Sequence, residues 1–145
     1  MIKQISAQAT YLVRQPILRP EGTVEDCIFQ GDDDKLTAHF GAYKNDELVG
    51  IISIYDVHAK NKPMDKKRGF QIRGMATLDA VRGEGLGALL LERAEQFAMD
   101  NGADYIWANA RTGALGFYEK ASYKLHSEEF MVEGVGLHYV IIKVI

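Results

Sequence analysis

The residues of this chain best suited to do chemistry are Arg82-Gly83-Glu84-Gly85-Leu86-Gly87. Three glycines in five positions let backbone amides approach an anion without side-chain obstruction, and an amphipathic helix starting near Gly85 adds the partial positive charge of its N-terminus. Arg82 supplies a cation beside the same spot. The spacing suits a diphosphate. A nucleotide P-loop needs Gly-Lys-Ser/Thr at the helix start, and here Gly87 is followed by Ala88 and Leu89, which excludes it. Gly83, Gly85 and Ala88 do satisfy the dinucleotide pattern G-x-G-x-x-A, with Asp104 downstream as a ribose-binding acid would be. That acid belongs at the end of a strand, whereas Asp104 precedes one, and a second βαβ half is missing.

The elements that must position this loop follow from periodicity. Ile2 to Ile5 reads as a strand, and Ser6 caps a helix carrying Ala9, Leu12 and Val13 until Pro16 disturbs it. Leu18 to Asp34 reads as loop or broken helix. Leu36, Ala38, Phe40 and Ala42 alternate as a strand, Lys44 to Glu47 turn, and Leu48 to Tyr55 return as a more buried strand. After a polar loop, Asp56 to Gly69, a third strand runs from Phe70 to Thr77, with Gly74 marking a bulge or a close backbone approach. The helix behind the glycine loop presents Leu86, Leu89, Leu90, Ala94, Phe97 and Ala98 on one face and stops at Asn101-Gly102. Tyr105 to Ala108 is a short buried strand, and Thr112 caps a short helix with Leu115, Phe117 and Tyr118. Tyr123 to Phe130 and Leu137 to Val144 close the chain as a hairpin. The order β-α-β-β-β-α-β-α-β-β gives an α/β class, a mixed, mainly antiparallel sheet with one parallel crossover at the glycine loop.

At 145 residues the chain is expected to be one domain, residues 1–145, with a core of its own. A net charge of −3 and the absence of a basic stripe argue against nucleic acid as partner. The one basic cluster, Lys60, Lys62, Lys66, Lys67 and Arg68, reads as a solvated loop, with an outer contact for acidic groups as the alternative. Cys27, the single cysteine, excludes an internal disulfide and a cysteine-based metal site, and is expected to be a half-buried apolar residue. No signal-peptide layout and no apolar run long enough for a membrane give cytoplasmic location as the expectation. The closing run Val140 to Ile145 either pairs across a homodimer or finishes the sheet.

Arg82-x-x-Gly85-x-Gly87 resembles the Q/R-x-x-G-x-G/A pattern of the GNAT acetyltransferase superfamily. The likeness extends to Ile72-Arg73-Gly74-Met75-Ala76-Thr77, similar to that family's central strand, and to Asn109-Ala110-Arg111, Ala114 and Phe117-Tyr118-Glu119-Lys120, similar to its second cofactor motif. Leu12-Val13-Arg14, Ile17-Leu18-Arg19-Pro20 and Gly136-Leu137-His138 resemble a subgroup of small stand-alone bacterial members. Two departures stand out. Ser122-Tyr123 replaces a G-F/Y pair, which is expected to alter a turn, and Asp79 stands where many members have proline.

The resemblance implies a GNAT-like acyltransferase fold, with splayed central strands and flanking helices. It implies an N-acetyltransferase that moves the acetyl group of acetyl-coenzyme A to a primary amine, of a small molecule or a peptide, by direct attack in a ternary complex. A non-catalytic acyl-coenzyme A binding module is the alternative. No metal is implied. The cofactor would be held by Met75, Ala76, Thr77, Arg82, Gly83, Glu84, Gly85, Leu86, Gly87, Asn109, Phe117 and Tyr118, with Met75 to Thr77 and Trp107 to Asn109 as the unpaired edges. An amide near Met75 would steady charge on the thioester oxygen. Tyr118 matches the family's general acid for the leaving thiolate, and adjacent Phe117 is expected to point elsewhere. His138 is the first candidate base, with His39, Glu128, Glu129 or a water relay as alternatives, and His58 and His126 read as surface residues. Arg14 and Arg19 either orient a substrate carboxylate or line a solvated helix face, and Asp32, Asp33 and Asp34 either attract a polyamine or form a solvated run.

Overall fold

A computed structural model describes residues 1–59 and 67–145 of the chain. Strand β1 (Ile2–Ile5) leads into helix α1 (Ala7–Val13), capped by Ser6, whose Oγ accepts the Ala9 amide at 3.2 Å. At Pro16 the helix widens into a π turn over Arg14–Leu18, because a residue without an amide hydrogen cannot continue the ladder. A loop with one 3-10 turn, Glu25–Cys27, then reaches β2 (Ala38–Lys44), two residues later than the alternation suggests. β2 and β3 (Glu47–Tyr55) form a hairpin whose turn residues Asn45 and Asp46 have φ of 52° and 63°, conformations their short polar side chains tolerate. β4 (Gly69–Thr77), α2 (Leu86–Asp100), β5 (Tyr105–Arg111) and α3 (Leu115–Lys120) follow. Lys60, Lys62 and Lys66 of the basic cluster lie outside the described residues. Lys67 and Arg68 are exposed, as a solvated loop requires.

The closing hairpin differs from expectation. One long strand becomes two short ones, β6 (Lys124–Leu125) and β7 (Phe130–Val132), both antiparallel to β8 (Gly136–Val144). Between them the Ser127 hydroxyl accepts the Val140 amide, taking the place of a strand–strand bond. The described strands form one sheet in the order β1-β2-β3-β4-β5-β8-β6, with β7 also on β8. β8 therefore has neighbours on both sides. Ile141 and Ile142 are buried and paired on both sides, whereas Val144 pairs with β5 alone and is exposed.

Residues directly opposite across strands share a face, which fixes both layers. Phe40, Ile52, Ile54, Phe70, Ile72, Ile106, Ala108 and Ile141 turn toward α2 and α3 and form the main core. On α2 the buried residues are Leu90, Leu91, Ala94, Glu95 and Ala98. Leu91 thus replaces Leu89, which is 49% exposed: the buried stripe runs 90, 91, 94, 95, 98, and Leu89 falls outside it. Each fully buried leucine contributes roughly 1.5–3 kcal/mol. α2 ends in a Schellman turn, with Gly102 at φ +84° and the Ala103 amide on the Ala98 carbonyl at 3.0 Å. On the other face lie Ser53, Tyr55, Trp107 and Ile142, covered by α1, the α1–β2 segment and residues 57–59, where the Trp107 indole donates to the Val57 carbonyl at 2.8 Å. That second cover explains why β2 and β3 are buried on both faces.

Candidate active site

The sheet opens at its centre. β4 and β5, the parallel pair, are in register from Gly69–Tyr105 to Ile72–Ala108 and then part. β4 stays with β3 as far as Thr77, and β5 stays with β8 as far as Arg111, so each strand keeps its outer neighbour and loses the inner one. The cause is a bulge. From Ser53–Arg73 to Ile51–Ala76, β4 advances three residues while β3 advances two. Gly74 occupies it at φ +65°, where a Cβ would stand 3.0 Å from Phe29 and 3.4 Å from Arg14 Nε. Gly74 is thus both the bulge and the close approach its position suggested. Trp107 and Ala108 remain paired, so of the expected edge Trp107 to Asn109 only Asn109 lies past the split.

The glycine loop faces this opening from the α2 side. Gly83 and Gly85 have φ of +85° and +82°, and a Cβ on either would meet no atom within 4 Å. The loop therefore turns its backbone toward open space. The amides of Leu86, Gly87 and Ala88 belong to the first helical turn, and the first helical bond is the Leu89 amide on the Gly85 carbonyl, at 3.3 Å. Those three donors at a helix N-terminus are available to an anion. The amides of Arg82 and Glu84 are instead engaged with the Asp79 and Val81 carbonyls, at 3.3 Å each. The Arg82 guanidinium is exposed and meets Asp79 at 2.9 Å, and the Glu84 carboxylate is turned away to Lys44 at 2.8 Å. Gly87 sits closest to the interior, its missing Cβ 3.1 Å from the Met75 methyl and 3.3 Å from Phe117. Any side chain there would close the gap between α2, β4 and α3. Farther along, a Cβ on Gly113 or Gly116 would also meet nothing within 4 Å, two small residues at the start of α3 that motif reading did not single out.

Met75 faces α2, and its sulfur accepts the Tyr118 hydroxyl at 3.8 Å. Ala76 and Thr77 remain paired with Ile51 and Gly50; the Ala76 side chain packs on Val13 and Ile51 on the opposite face, so Ala76 offers no more than backbone to the cleft. Asn109 is exposed, and Phe117 is half-buried. Tyr118 is buried between Phe117 and Tyr123, with ring centroids 5.1 and 5.6 Å away, so the two adjacent aromatics do share one cluster, edge to face. Burial pushes the Tyr118 phenol up to about 12, keeping it protonated across the neutral range. In the turn after α3, Ser122 takes φ +75° where the resembling pattern has glycine, and the Tyr123 amide reaches the Tyr118 carbonyl at 3.1 Å.

His138 lies opposite Arg111 on β8, on the face away from α2. Its Nδ1 lies 2.8 Å from the Gly136 carbonyl, which can only accept, so Nδ1 carries a proton, and in the neutral ring Nε2 carries the lone pair. Phe130 stacks on the ring at 6.0 Å. Glu128 and Glu129 are exposed, and the latter accepts the Thr112 hydroxyl at 2.7 Å. His39 is different. Its Nε2 donates to the Asp32 carbonyl at 2.9 Å and its Nδ1 accepts from Ser53 at 2.6 Å, so neither nitrogen is left for a substrate proton. Burial lowers its pKa, and it serves as a neutral bridge in the structure.

Arg14 and Asp32 depart most from expectation. Arg14 is fully buried, neither solvated nor open to a substrate. Its guanidinium donates to both Asp32 oxygens, at 2.8 and 3.1 Å, and also to Ser53, Tyr55 and the Cys27 carbonyl. Asp32 also accepts the Phe29 amide at 2.9 Å and the Tyr55 hydroxyl at 2.6 Å. Burial raises the Asp32 carboxyl, but the bonds from Arg14, Tyr55 and Phe29 outweigh it, and the net shift is downward. Asp33 and Asp34 are exposed, as a solvated run would be. Cys27 is fully buried, and burial pushes its thiol up, away from reactivity.

Among the described residues no group of three or more His, Cys, Asp or Glu could hold a metal ion, and no helix is long and apolar enough to cross a membrane.

Residues 5–123 match the acetyltransferase (GNAT) family. The chain is 32% identical over 143 residues to the uncharacterized N-acetyltransferase YitI of Bacillus subtilis, covering 98% of this chain and 94% of YitI. Among solved structures it resembles a putative N-acetyltransferase from Lactobacillus plantarum, with a TM-score of 0.77 at 21% identity, covering 99% of this chain and 97% of the other. It also resembles an aminoglycoside 6'-N-acetyltransferase complexed with coenzyme A, with a TM-score of 0.73 at 15% identity, covering 99% and 96%.

Proposed function

Because the chain belongs to the GNAT acetyltransferase family, we propose that residues 1–145 form a single N-acetyltransferase domain using acetyl-coenzyme A and a primary amine. One observation carries this reading. A split between two parallel strands faces a left-handed glycine loop whose missing side chains leave open space beside free first-turn amides. The residues present fit the cofactor. Leu86, Gly87 and Ala88 would donate to its pyrophosphate, with Gly83 and Gly85 giving the backbone its approach and Arg82 an exposed cation nearby. The unpaired edges, Met75 on one side and Asn109 on the other, would bond its amide-bearing arm, and Phe117 would close the inner end. When bound, the cofactor supplies an activated acetyl thioester.

The protein's own groups then have defined tasks. The amide at Met75, freed from β5 by the split, would donate to the oxygen on which charge develops. As the new C–N bond forms and the C–S bond breaks, the amine must lose a proton and the thiolate must gain one. Tyr118, protonated at neutral pH and touching Met75 at the split, would give its hydroxyl proton to sulfur. His138, with its lone pair on Nε2 and on the opposite face, would take the amine proton. The two groups thus sit on opposite faces of the sheet, and the reaction would have to pass through the split between them. An acceptor entering beneath the α1–β2 segment would meet the acetyl group from the side away from α2.

Thermal melting with acetyl-coenzyme A, coenzyme A, NAD and ATP in parallel tests the cofactor. Ligand at a hundred times its dissociation constant should add about 2.7 kcal/mol, a rise of several degrees, with the coenzyme A compounds only. A rise with NAD alone, or none, would sink the reading.

A further inference from the structure

We infer that the acceptor amine also carries a carboxylate, which Arg73 holds with Arg19 beside it; this rests on the acetyltransferase reading above. Arg73 is the first β4 residue beyond the last β4–β5 pair, and two residues before Met75. It pairs in register with Ser53, which places its side chain on the face away from α2, the side from which an acceptor would enter. There, three guanidiniums gather around one buried ring. Arg14, Arg73 and Arg19 lie 4.0, 4.8 and 5.6 Å from the Phe29 centroid.

Three like charges at one ring call for anions, and among the described residues the ion pair formed there is that of Arg14 with Asp32. Asp32 is saturated: each of its oxygens already accepts one bond from Arg14 and a second from the Phe29 amide or the Tyr55 hydroxyl. The Arg14 charge is therefore paired, although its buried Nε–H has no partner among the described residues. Arg19 donates to its neighbour's carbonyl, Leu18 O, at 2.8 Å, and has no acidic partner among the described residues. Arg73 has neither an ion pair nor a side-chain hydrogen bond among the described residues.

Arg73 is also held in place. Its guanidinium lies against two aromatic rings, Phe29 at 4.8 Å and Tyr55 at 5.5 Å; the Tyr55 hydroxyl and the Phe29 backbone amide are both bonded to Asp32. A half-buried guanidinium, already oriented and with its donor fork unused, is built for a bidentate carboxylate. Its place one side chain from the split sets the spacing. The amine at the acetyl group and the anion at Arg73 belong to one small molecule, an amino acid or a close relative. The same charges repel a polyamine or an aminoglycoside, so the cluster selects by rejection as well as by attraction.

Thiol release from acetyl-coenzyme A by the full chain tests this, with the free amino acids, β-alanine and γ-aminobutyrate, the matching amino acid amides, and spermidine as acceptors. Acids should exceed their amides and spermidine by about tenfold or more in kcat/KM, since an unfilled guanidinium site penalises the analogue lacking its anion. Arg73→Gln should remove most of that preference through KM, leaving the amides and the melting shift with acetyl-coenzyme A unchanged. Arg19→Gln should do the same more weakly, and it serves if the Arg73 variant fails to fold. Equal use of acids and amides, turnover of spermidine but of no acid, inertness of the whole acid series with cofactor bound, or equal loss on both classes in Arg73→Gln would each overturn the inference. Absence of any melting shift with acetyl-coenzyme A would instead overturn the cofactor reading beneath it.

Discussion

The two sides of the central split are built on opposite plans. On the α2 side, the glycine loop is backbone: amides and left-handed glycines packed into six consecutive residues, with few side chains involved. On the other side, the Arg14–Asp32 network is almost all side chain, drawn from α1, the segment after it, β2 and β3, at positions 14, 32, 39, 53 and 55. The first can be built wherever a strand runs into a helix. The second exists only once the sheet and its covering segment have come together. A loop made of local backbone serves a ligand part common to a whole family, whereas a cluster assembled from distant side chains can differ in each member. The contrast predicts that damage to the two sides will separate into loss of cofactor and loss of fold or acceptor preference.

The largest effect is expected from Arg14→Met. Removing the guanidinium leaves the buried Asp32 carboxylate without its cation, which should cost about 3–5 kcal/mol in urea or thermal unfolding. Protein that remains folded should still melt higher with acetyl-coenzyme A; if it does not, the two sides are not independent. Gly85→Val is the converse case. It should remove most of the cofactor-induced melting shift, because a β-branched side chain cannot hold φ +82° without strain and would stand in the open space of the cradle. Retained affinity in a folded variant would show that the diphosphate goes elsewhere.

Tyr118→Phe should lower kcat about a hundredfold with cofactor affinity nearly unchanged, since it removes one proton and leaves the packing. Equal loss of both would reduce the tyrosine to packing, and unchanged turnover would mean that the proton comes from elsewhere.

pH separates the two sides again. The Asp32 pKa and the His39 pKa are both lowered in the fold, so the stability they contribute is present above their unfolded values, near 3.9 and 6.5, and is lost as pH falls through the folded ones. Tyr118 is raised, so its contribution is complete below about 10 and is lost as pH rises through its folded value of about 12. Unfolding free energy measured against pH should fall at both ends. Arg14→Met should flatten the acid limb alone. The smallest effect is at Ser122, where a glycine would relieve a left-handed backbone and stabilise by about 1 kcal/mol. No gain on melting would show that Ser122 bears no strain.

Much of this was legible in the chain. Ser6 as a cap, Asn45-Asp46 as a turn, Gly102 as a helix stop and Gly74 as a bulge each depend on a residue and its immediate neighbours, and each stands where its type required. The glycine loop was legible for the same reason. Leu89 and Leu91 could not be told apart, because the buried stripe of a helix is set by the curvature of the sheet beneath it. His39, Arg14 and Asp32 were misread because polar residues in a loop or at a strand look solvated until a second layer covers them. Arg73 gave a faint signal, since it precedes a glycine whose bulge was foreseen, but nothing in the sequence puts it beside Phe29.

The sequence by itself determined the order of elements as far as α3, the glycine cradle and the candidate acid, because backbone freedom, helix periodicity and capping act over a few residues. Only the tertiary structure decided where β4 and β5 part, which arginine is spent inside the protein and which remain free. Those outcomes depend on which charges meet across long separations in sequence, and on which of them are already neutralised when they do.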